Sequence, residues 1–263
     1  MFGRICAMIS RYTSISITSF PRLLSIFYWP SIQIILWGFF TNFLESSNEN
    51  FELNSVSFLL SAVILWDILF RGQLGLSMTF FEELWSRNLV HLMITPLRNF
   101  ELVLSLIIVS FLRTCLGLAP AIFVASFFFD LQLFDLGFFL ILFFFNLILT
   151  GWAIGLIVSG LVLRYGQSFE ELAWAFIFVL LPFSCVYYPI ESLPTFFQYI
   201  AFILPPAYVF EGMREIFING IFLSDLLFKS IFLNLFYFFL SAFFFSSMIS
   251  KSKRDGSLLQ FGE

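Results

Sequence analysis

LGFFLILFFFNLILTGWAIGLIVSGLVL, residues 136–163, contains no charged side chain and no proline. A helix crosses the hydrocarbon core of a bilayer with about 20 apolar residues, each rising about 1.5 Å. The stretch therefore predicts a membrane-spanning helix. Reading outward in both directions, comparable runs occupy 23–43, 56–80, 100–128, 172–189 and 228–249, giving six candidate spans. The expected fold class is an all-α membrane protein built as a single transmembrane domain over 1–263. Within it, 1–22 forms an interfacial helix, 23–250 a six-span bundle and 251–263 a cytoplasmic tail.

The whole chain has the composition that this reading needs. Its 263 residues are 60% hydrophobic and 21% aromatic, with 42 Phe and a mean hydropathy of +0.97. That is more apolar surface than a water-soluble domain of this length buries. The phenylalanines read as lipid-facing filler rather than as an aromatic track for a ligand. A formal net charge of −4 says little, because charge in a membrane protein acts by location. Cys6, Cys115 and Cys185 lie far apart without a CxxC pair and His91 stands alone, which argues against a zinc site or disulfide framework. No Ser/His/Asp or paired-carboxylate set is visible, so the chain reads as a non-enzyme.

At the N-terminus, Arg4, Ser10 and Arg11 interrupt any apolar run, so no signal peptide is expected. Residues 3–20 place Ile5, Met8, Ile9, Tyr12 and Ile15 at helical spacing with Arg4, Arg11 and Thr18 on another face. This predicts a helix on the membrane surface, stopped by Pro21; a loosely ordered tail is the other reading, since ISISIT alternates at period two. The basic residues Arg4, Arg11, Arg22, Arg87, Arg98, Arg164, Lys251, Lys253 and Arg254 then fall on one side, which the positive-inside rule makes cytoplasmic. Apart from Arg71 and Arg113 within the spans, only Arg214 and Lys229 fall outside that set. The opposite loops are acidic, with Glu45, Glu49, Glu52, Asp130 and Asp135.

Between the second and third spans lies EELWSRNLVHLMITPLRN, residues 82–99, polar in an apolar chain. As one helix it puts Trp85, Leu89, Leu92 and Met93 on one side and Glu83, Arg87 and His91 on the other. Glu83 and Arg87 stand four apart, the spacing of a helical ion pair, and Pro96 forces a break before the next span. Such a helix serves equally to be gripped by a soluble partner or to anchor a loop at the interface.

EELWSRNLVHLMITPL resembles the charged stretch ending in TPL found between the second and third spans of ABC-2 type exporter permeases. LRYGQSFEELAWAFIFVLLPFSCVYYPIESLPTFFQYIAFILPPAYVFEGMREIF resembles the YP, E.LP, P.Y and EG.R pattern of the same family, in order. The resemblance implies that 82–96 is a coupling helix docking on a nucleotide-binding subunit, with Glu82, Glu83, Trp85, Arg87, His91, Thr95 and Pro96 its key residues. The chain has no GxxxxGK[ST] phosphate loop. A separate ATPase polypeptide would therefore bind ATP and Mg, leaving this chain without a cofactor of its own. A homodimer with two ATPase subunits in a bacterial inner membrane follows from the family pattern, with lipids and not nucleic acid as further partners. The family also implies an external gate containing Tyr187, Tyr188, Pro189, Glu191 and Pro194.

Read without the family, Pro182, Pro189, Pro194, Pro205 and Pro206 break the apolar run from 172 to 210. Re-entrant or interfacial short helices fit that pattern, as does a kinked fifth helix with an amphipathic connection. Within the spans, Asp67 and Arg71 sit one turn apart, and Arg113 reaches a similar expected depth. A cluster of the three would be net positive and suited to an anionic cargo group; a buried ion pair fixing helix register is the plainer reading. Gly151, Gly155 and Ser159 recur every fourth position and predict a close intramolecular helix contact.

Cargo is the least determined property. RLLSIFYWPSIQIILWGFF lacks the R..LG.LW pattern of polysaccharide exporters and looks more like the drug and nodulation-factor branch, so an amphiphilic or lipid-like substrate is expected. A glycan exporter and a non-transporting membrane scaffold are the alternatives.

Overall fold

The computed structural model describes residues 1–47, 53–129, 131, 133 and 137–255. Glu49, Glu52, Asp130, Asp135 and the tail beyond Asp255 lie outside the described residues. Helices α1 (Phe2–Thr18), α2 (Phe20–Ser47), α3 (Leu53–Trp85), α4 (Leu89–Ile94), α5 (Asn99–Phe129) and α6 (Phe138–Tyr165) come first. A 3-10 turn (Gln167–Glu171), α7 (Leu172–Phe183), a second 3-10 turn (Ile190–Ser192), α8 (Thr195–Ile203), α9 (Pro205–Asn219) and α10 (Ser224–Asp255) follow. Among the described residues there is no strand.

Among the described residues, five helices are long and apolar enough to cross a membrane: α2, α3 from Ser57, α5, α6 and α10. The candidate span at 172–189 takes a different form. Its helix α7 has 12 residues and reaches about 18 Å, short of the roughly 30 Å of a bilayer core. Pro182 lies in its last turn, where the ring removes a backbone donor, and Cys185 then adopts φ 55°. The chain continues through Pro189 and Pro194, both with extended backbone, into α8 and α9. The proline punctuation thus yields several short helices. Pro21, expected to stop α1, instead occupies the first turn of α2, where a missing N–H is tolerated; the stop is Ser19, with φ −99° and ψ 102°.

Burial is uneven across these helices. The most apolar window of α3 is 72% buried, whereas those of α2 and α10 are each 17% buried. Helix α3 is the central element, and α6 lies closest to it because glycines remove the side chains between them. A Cβ on Gly151 would stand 2.5 Å from the Leu69 carbonyl oxygen and 2.9 Å from the Gln73 nitrogen, and one on Gly155 would stand 3.1 Å from the Gln73 carbonyl oxygen. The small-residue stripe is therefore an intramolecular seam. One apolar core gathers Ile34, Leu65, Leu118, Leu147 and Phe210; another, toward the opposite end, gathers Tyr12, Phe80, Leu102, Leu163 and Phe245.

Helices α6 and α10 are joined by a polar ladder that hydropathy patterning passed over. Thr150 Oγ1 donates to Asn234 Oδ1 at 2.6 Å, Ser230 Oγ to Asn146 Oδ1 at 2.9 Å, and Asn234 Nδ2 to the Asn146 carbonyl at 2.9 Å. In an apolar surrounding such side chains have no water to turn to, so pairing with one another fixes the register of the two helices.

Candidate functional site

The start of α2, the end of α3, the start of α5 and the ends of α6 and α10 meet at one end of the bundle. This arginine-rich end is held by ion pairs between distant parts of the sequence. Helix α3 finishes in EELW because the next two peptide groups close back on it. Arg87 N–H donates to the Leu84 carbonyl at 2.9 Å and Asn88 N–H to the Glu83 carbonyl at 3.0 Å. That pair of bonds is a Schellman cap, whose left-handed position usually holds glycine. Here Arg87 takes it, with φ 53°.

Residues 82–96 are accordingly not one helix, as expected from their pattern, but the last turn of α3, a left-handed corner and the six-residue α4. The expected Glu83–Arg87 pair does not form, because the helix ends between them. Glu83 is 1% exposed and instead accepts from Arg11 Nη2 at 3.0 Å and Asn88 Nδ2 at 2.7 Å. Its neighbour Glu82 lies 3.7 Å from Arg22 Nη1 and 3.4 Å from Arg113 Nη2. Glu101, at the start of α5, accepts from Arg4 Nη2 at 2.6 Å and from the Arg98 backbone at 2.9 Å.

Four arginines from α1, α2 and α5 thus converge on three carboxylates. Periodicity placed Ile5, Met8 and Tyr12 on the buried face of α1, and they are buried there. Arg4 and Arg11, expected on an outward polar face, are half-buried because their long stems fold along the helix to reach the acids. Tyr12 is fully enclosed, and burial, then the adjacent Glu83 charge, push its phenol far above the usual range. Arg11 Nε, Tyr12 Oη, Glu82 Oε2, Glu83 Oε1 and Arg113 Nε are buried there without a hydrogen-bond partner.

Outside this braced layer a polar and aromatic surface is presented. Trp85 is 47% and Ile94 78% exposed, with Arg87, His91, Thr95 and Pro96 exposed around them. Leu89 and Leu92 point inward. The Trp85 indole does not join them; its N–H donates to both oxygens of Glu170, at 2.9 and 3.0 Å, tying the corner to the loop after α6. Burial pushes the Glu170 carboxyl above the usual carboxylate range, against the opposing pull of that indole. Thr95 donates to the Leu92 carbonyl at 2.6 Å, and Pro96 ends the segment as expected.

Deeper in the bundle, Asp67 and Arg71 form the expected pair. Arg113 does not join them. Its guanidinium reaches Glu82 and Ser16 Oγ, and Glu82 lies about 22 Å from Asp67 along α3 at the helical rise. The long side chain turns toward the polar end rather than inward. Arg71 Nη1 instead donates to the Ile26 carbonyl at 3.2 Å, passing Gly117, where a Cβ would lie 3.0 Å from both groups.

At the far end, the residues of the expected external gate occupy one turn without converging. Tyr187 stacks on Trp37 at 4.7 Å and 21°, Tyr188 Oη donates to the Pro182 carbonyl at 2.7 Å, and Glu191 is exposed. Pro189 and Pro194 flank the 3-10 turn between them. Sequence reading did not assign the residues that hold this turn. Arg214 lies 2.8 Å from Glu211, donates to the Cys185 carbonyl at 3.0 Å and sits 5.1 Å from the centre of the Phe58 ring. Glu211 in turn accepts from the Ile190 N–H at 2.7 Å. The signal was present in the sequence as an acid and a base three apart inside an apolar stretch.

Among the described residues, four long apolar helices around a central fifth, with ion pairs toward their ends and one deeper pair, define a multi-pass helical membrane protein. Residues 9–218 match the family model described as ABC-2 type transporter, and the chain belongs to that family. No curated protein matches the chain. The family is the transmembrane component of its transporters, not itself catalytic, and generally works with an ATP-binding subunit.

Proposed function

We propose that this chain is the permease subunit of an ABC exporter, moving an amphiphilic or lipid-like substrate outward with ATP hydrolysed by a separate subunit. It sits in a bacterial inner membrane with both termini cytoplasmic, as a homodimer carrying two ATPase subunits that bind ATP and Mg. In that orientation the arginine-rich end faces the cytosol, as the positive-inside rule requires, and α1 lies at the interface. The segment α7 to α9 re-enters from the outside, with Tyr187, Tyr188 and Glu191 at the outer gate.

One observation carries this reading. The corner from Trp85 to Pro96 exposes Trp85, Arg87, His91 and Ile94 while the acids behind it are locked to three other helices. A surface that is exposed in front and braced behind transmits a push rather than absorbing it, which is what coupling to an ATPase demands.

The test is co-purification in lipid nanodiscs with whatever nucleotide-binding subunit associates, followed by ATPase assay with and without Arg87→Glu/His91→Glu. The expected result is an associated ATPase whose hydrolysis responds to cargo and loses that response in the double variant. Failure of any ATPase subunit to associate overturns the reading.

A further inference from the structure

We propose that Arg4, Arg11 and Arg22 form a ledge that docks anionic phospholipids of the adjacent leaflet, with Arg22 at the head of a lane for the acyl chain. Neither an ATPase subunit nor a cargo is needed for this interaction.

Ion pairing at the arginine-rich end is lopsided. The side chains of Glu101, Glu83 and Glu82 are 0%, 2% and 11% exposed, whereas those of their partners Arg4, Arg11 and Arg22 are 38%, 39% and 45% exposed. The acids are sealed inside while the guanidiniums show an outer edge, and with Arg113 the arginines outnumber the acids by one charge. A guanidinium carries five N–H donors, and only part of each set is taken. Arg4 gives Nε and Nη2 to Glu101, and Arg11 gives Nη2 to Glu83. Among the described residues the Nη1 of both is uncommitted, and Arg22, 3.7 Å from Glu82, makes no side-chain hydrogen bond. Forked donors on a surface of one sign are matched by the non-bridging oxygens of a phosphodiester.

What lies beyond the ledge selects a lipid over a soluble anion. Along α2, Arg22, Trp29, Leu36 and Phe43 recur at every seventh position and share one face, and all four are exposed. Trp29 follows Arg22 by about 10 Å at the helical rise, which is where an indole sits when head groups give way to hydrocarbon. Leu36 and Phe43 continue the lane into the apolar region. A free phosphate meets the ledge alone, whereas a phospholipid engages ledge and lane together. Basic residues beside a span attract anionic lipids in this way, and their contributions accumulate.

The full chain, delipidated in a neutral detergent, is titrated with dioleoyl phosphatidylglycerol or dioleoyl phosphatidylcholine, and bound lipid is counted by native mass spectrometry. The two lipids share their chains and differ in head-group charge. Tighter binding of phosphatidylglycerol is expected, with the preference reduced about fivefold in Arg22→Gln, a variant in which Glu82 keeps Arg113. Ser25 is exposed, lies between Arg22 and Trp29 and bonds only within its own helix. Ser25→Glu therefore sets a carboxylate beside the ledge without touching an ion pair and should lower the preference comparably, which decides the matter if Arg22→Gln fails to fold. Equal binding of the two lipids, a preference unchanged in Ser25→Glu, displacement of phosphatidylglycerol by soluble glycerol 3-phosphate, or a dimer of this chain that excludes the lipid overturns the proposal.

Discussion

Arg71 donates to the carbonyl of Ile26, the acceptor that Pro30, four residues on, leaves without its helical N–H. A side chain of α3 thereby completes the broken ladder of α2. Arg71 also neutralises Asp67, so a single guanidinium satisfies two groups that would otherwise be costly at that depth.

Removing it should be severe. Arg71→Gln leaves the buried Asp67 without its cation and is expected to lower stability by about 3–5 kcal/mol, read as a fall in thermal unfolding temperature in detergent. Asp67→Asn in that background should recover a large part of the loss. If the single variant unfolds like the wild type, the pair has no structural role.

Glu83→Ala removes the acceptor of both Arg11 and Asn88. The expected outcome is release of α1, seen as faster proteolysis near residues 11–22 and a loss of about 1–3 kcal/mol. Arg87→Gly, by contrast, relieves a left-handed conformation at an exposed site and should raise stability by a few tenths to about 1 kcal/mol. Opposite signs from residues four apart would separate the brace from the exposed corner in one thermal-shift series.

Gly151→Val would press two methyl groups against the Leu69 carbonyl, 2.5 Å from the Cβ position. Overpacking of this kind typically costs about 1–3 kcal/mol or more. The expected readout is a reduced yield of monodisperse protein, with Gly137→Val, where a Cβ meets nothing within 4 Å, unsuitable as a control because of its φ of 55°. Gly3→Val, on the open side of α1, is the neutral comparison.

Arg214→Met severs the Glu211 and Cys185 contacts together. Cys185 is buried, so its thiol reports on the turn. In a Cys6→Ser/Cys115→Ser background, maleimide labelling of Cys185 should be slow in the parent and several-fold faster in Arg214→Met. Equal labelling rates would show that the turn does not depend on Arg214.

The sequence made the crossing helices legible because a bilayer imposes one length and one polarity on each, and 136–163 could be read no other way. The buried face of α1 was equally readable, since Ile5, Met8 and Tyr12 follow the helical period. Pairing was harder. Glu83 and Arg87 had the right spacing, but spacing presumes a continuous helix, and a left-handed Arg87 is not foretold by any residue preference. Arg113 was placed by depth alone, although a flexible stem lets its charge settle about one turn from its Cα. The Asn146–Asn234 ladder was missed because polar side chains of modest size hardly lower mean hydropathy. Glu211 and Arg214 stood in plain view, and only their partners, carbonyls and amides of a distant turn, were beyond reach of pattern.

The glycine seam between α3 and α6 has a mechanical consequence. Backbones that approach so closely slide or separate only by opening their tightest contact, so these two helices act as a keel. Helix α2, among the least buried of the spans, is an outrigger that can tilt while the keel stays whole, whereas α10 is tied to α6 by its polar ladder. Any passage through this subunit would then be widened at the α2 flank, with Pro30 as the flexing point and the Asn146–Asn234 ladder restraining the other side.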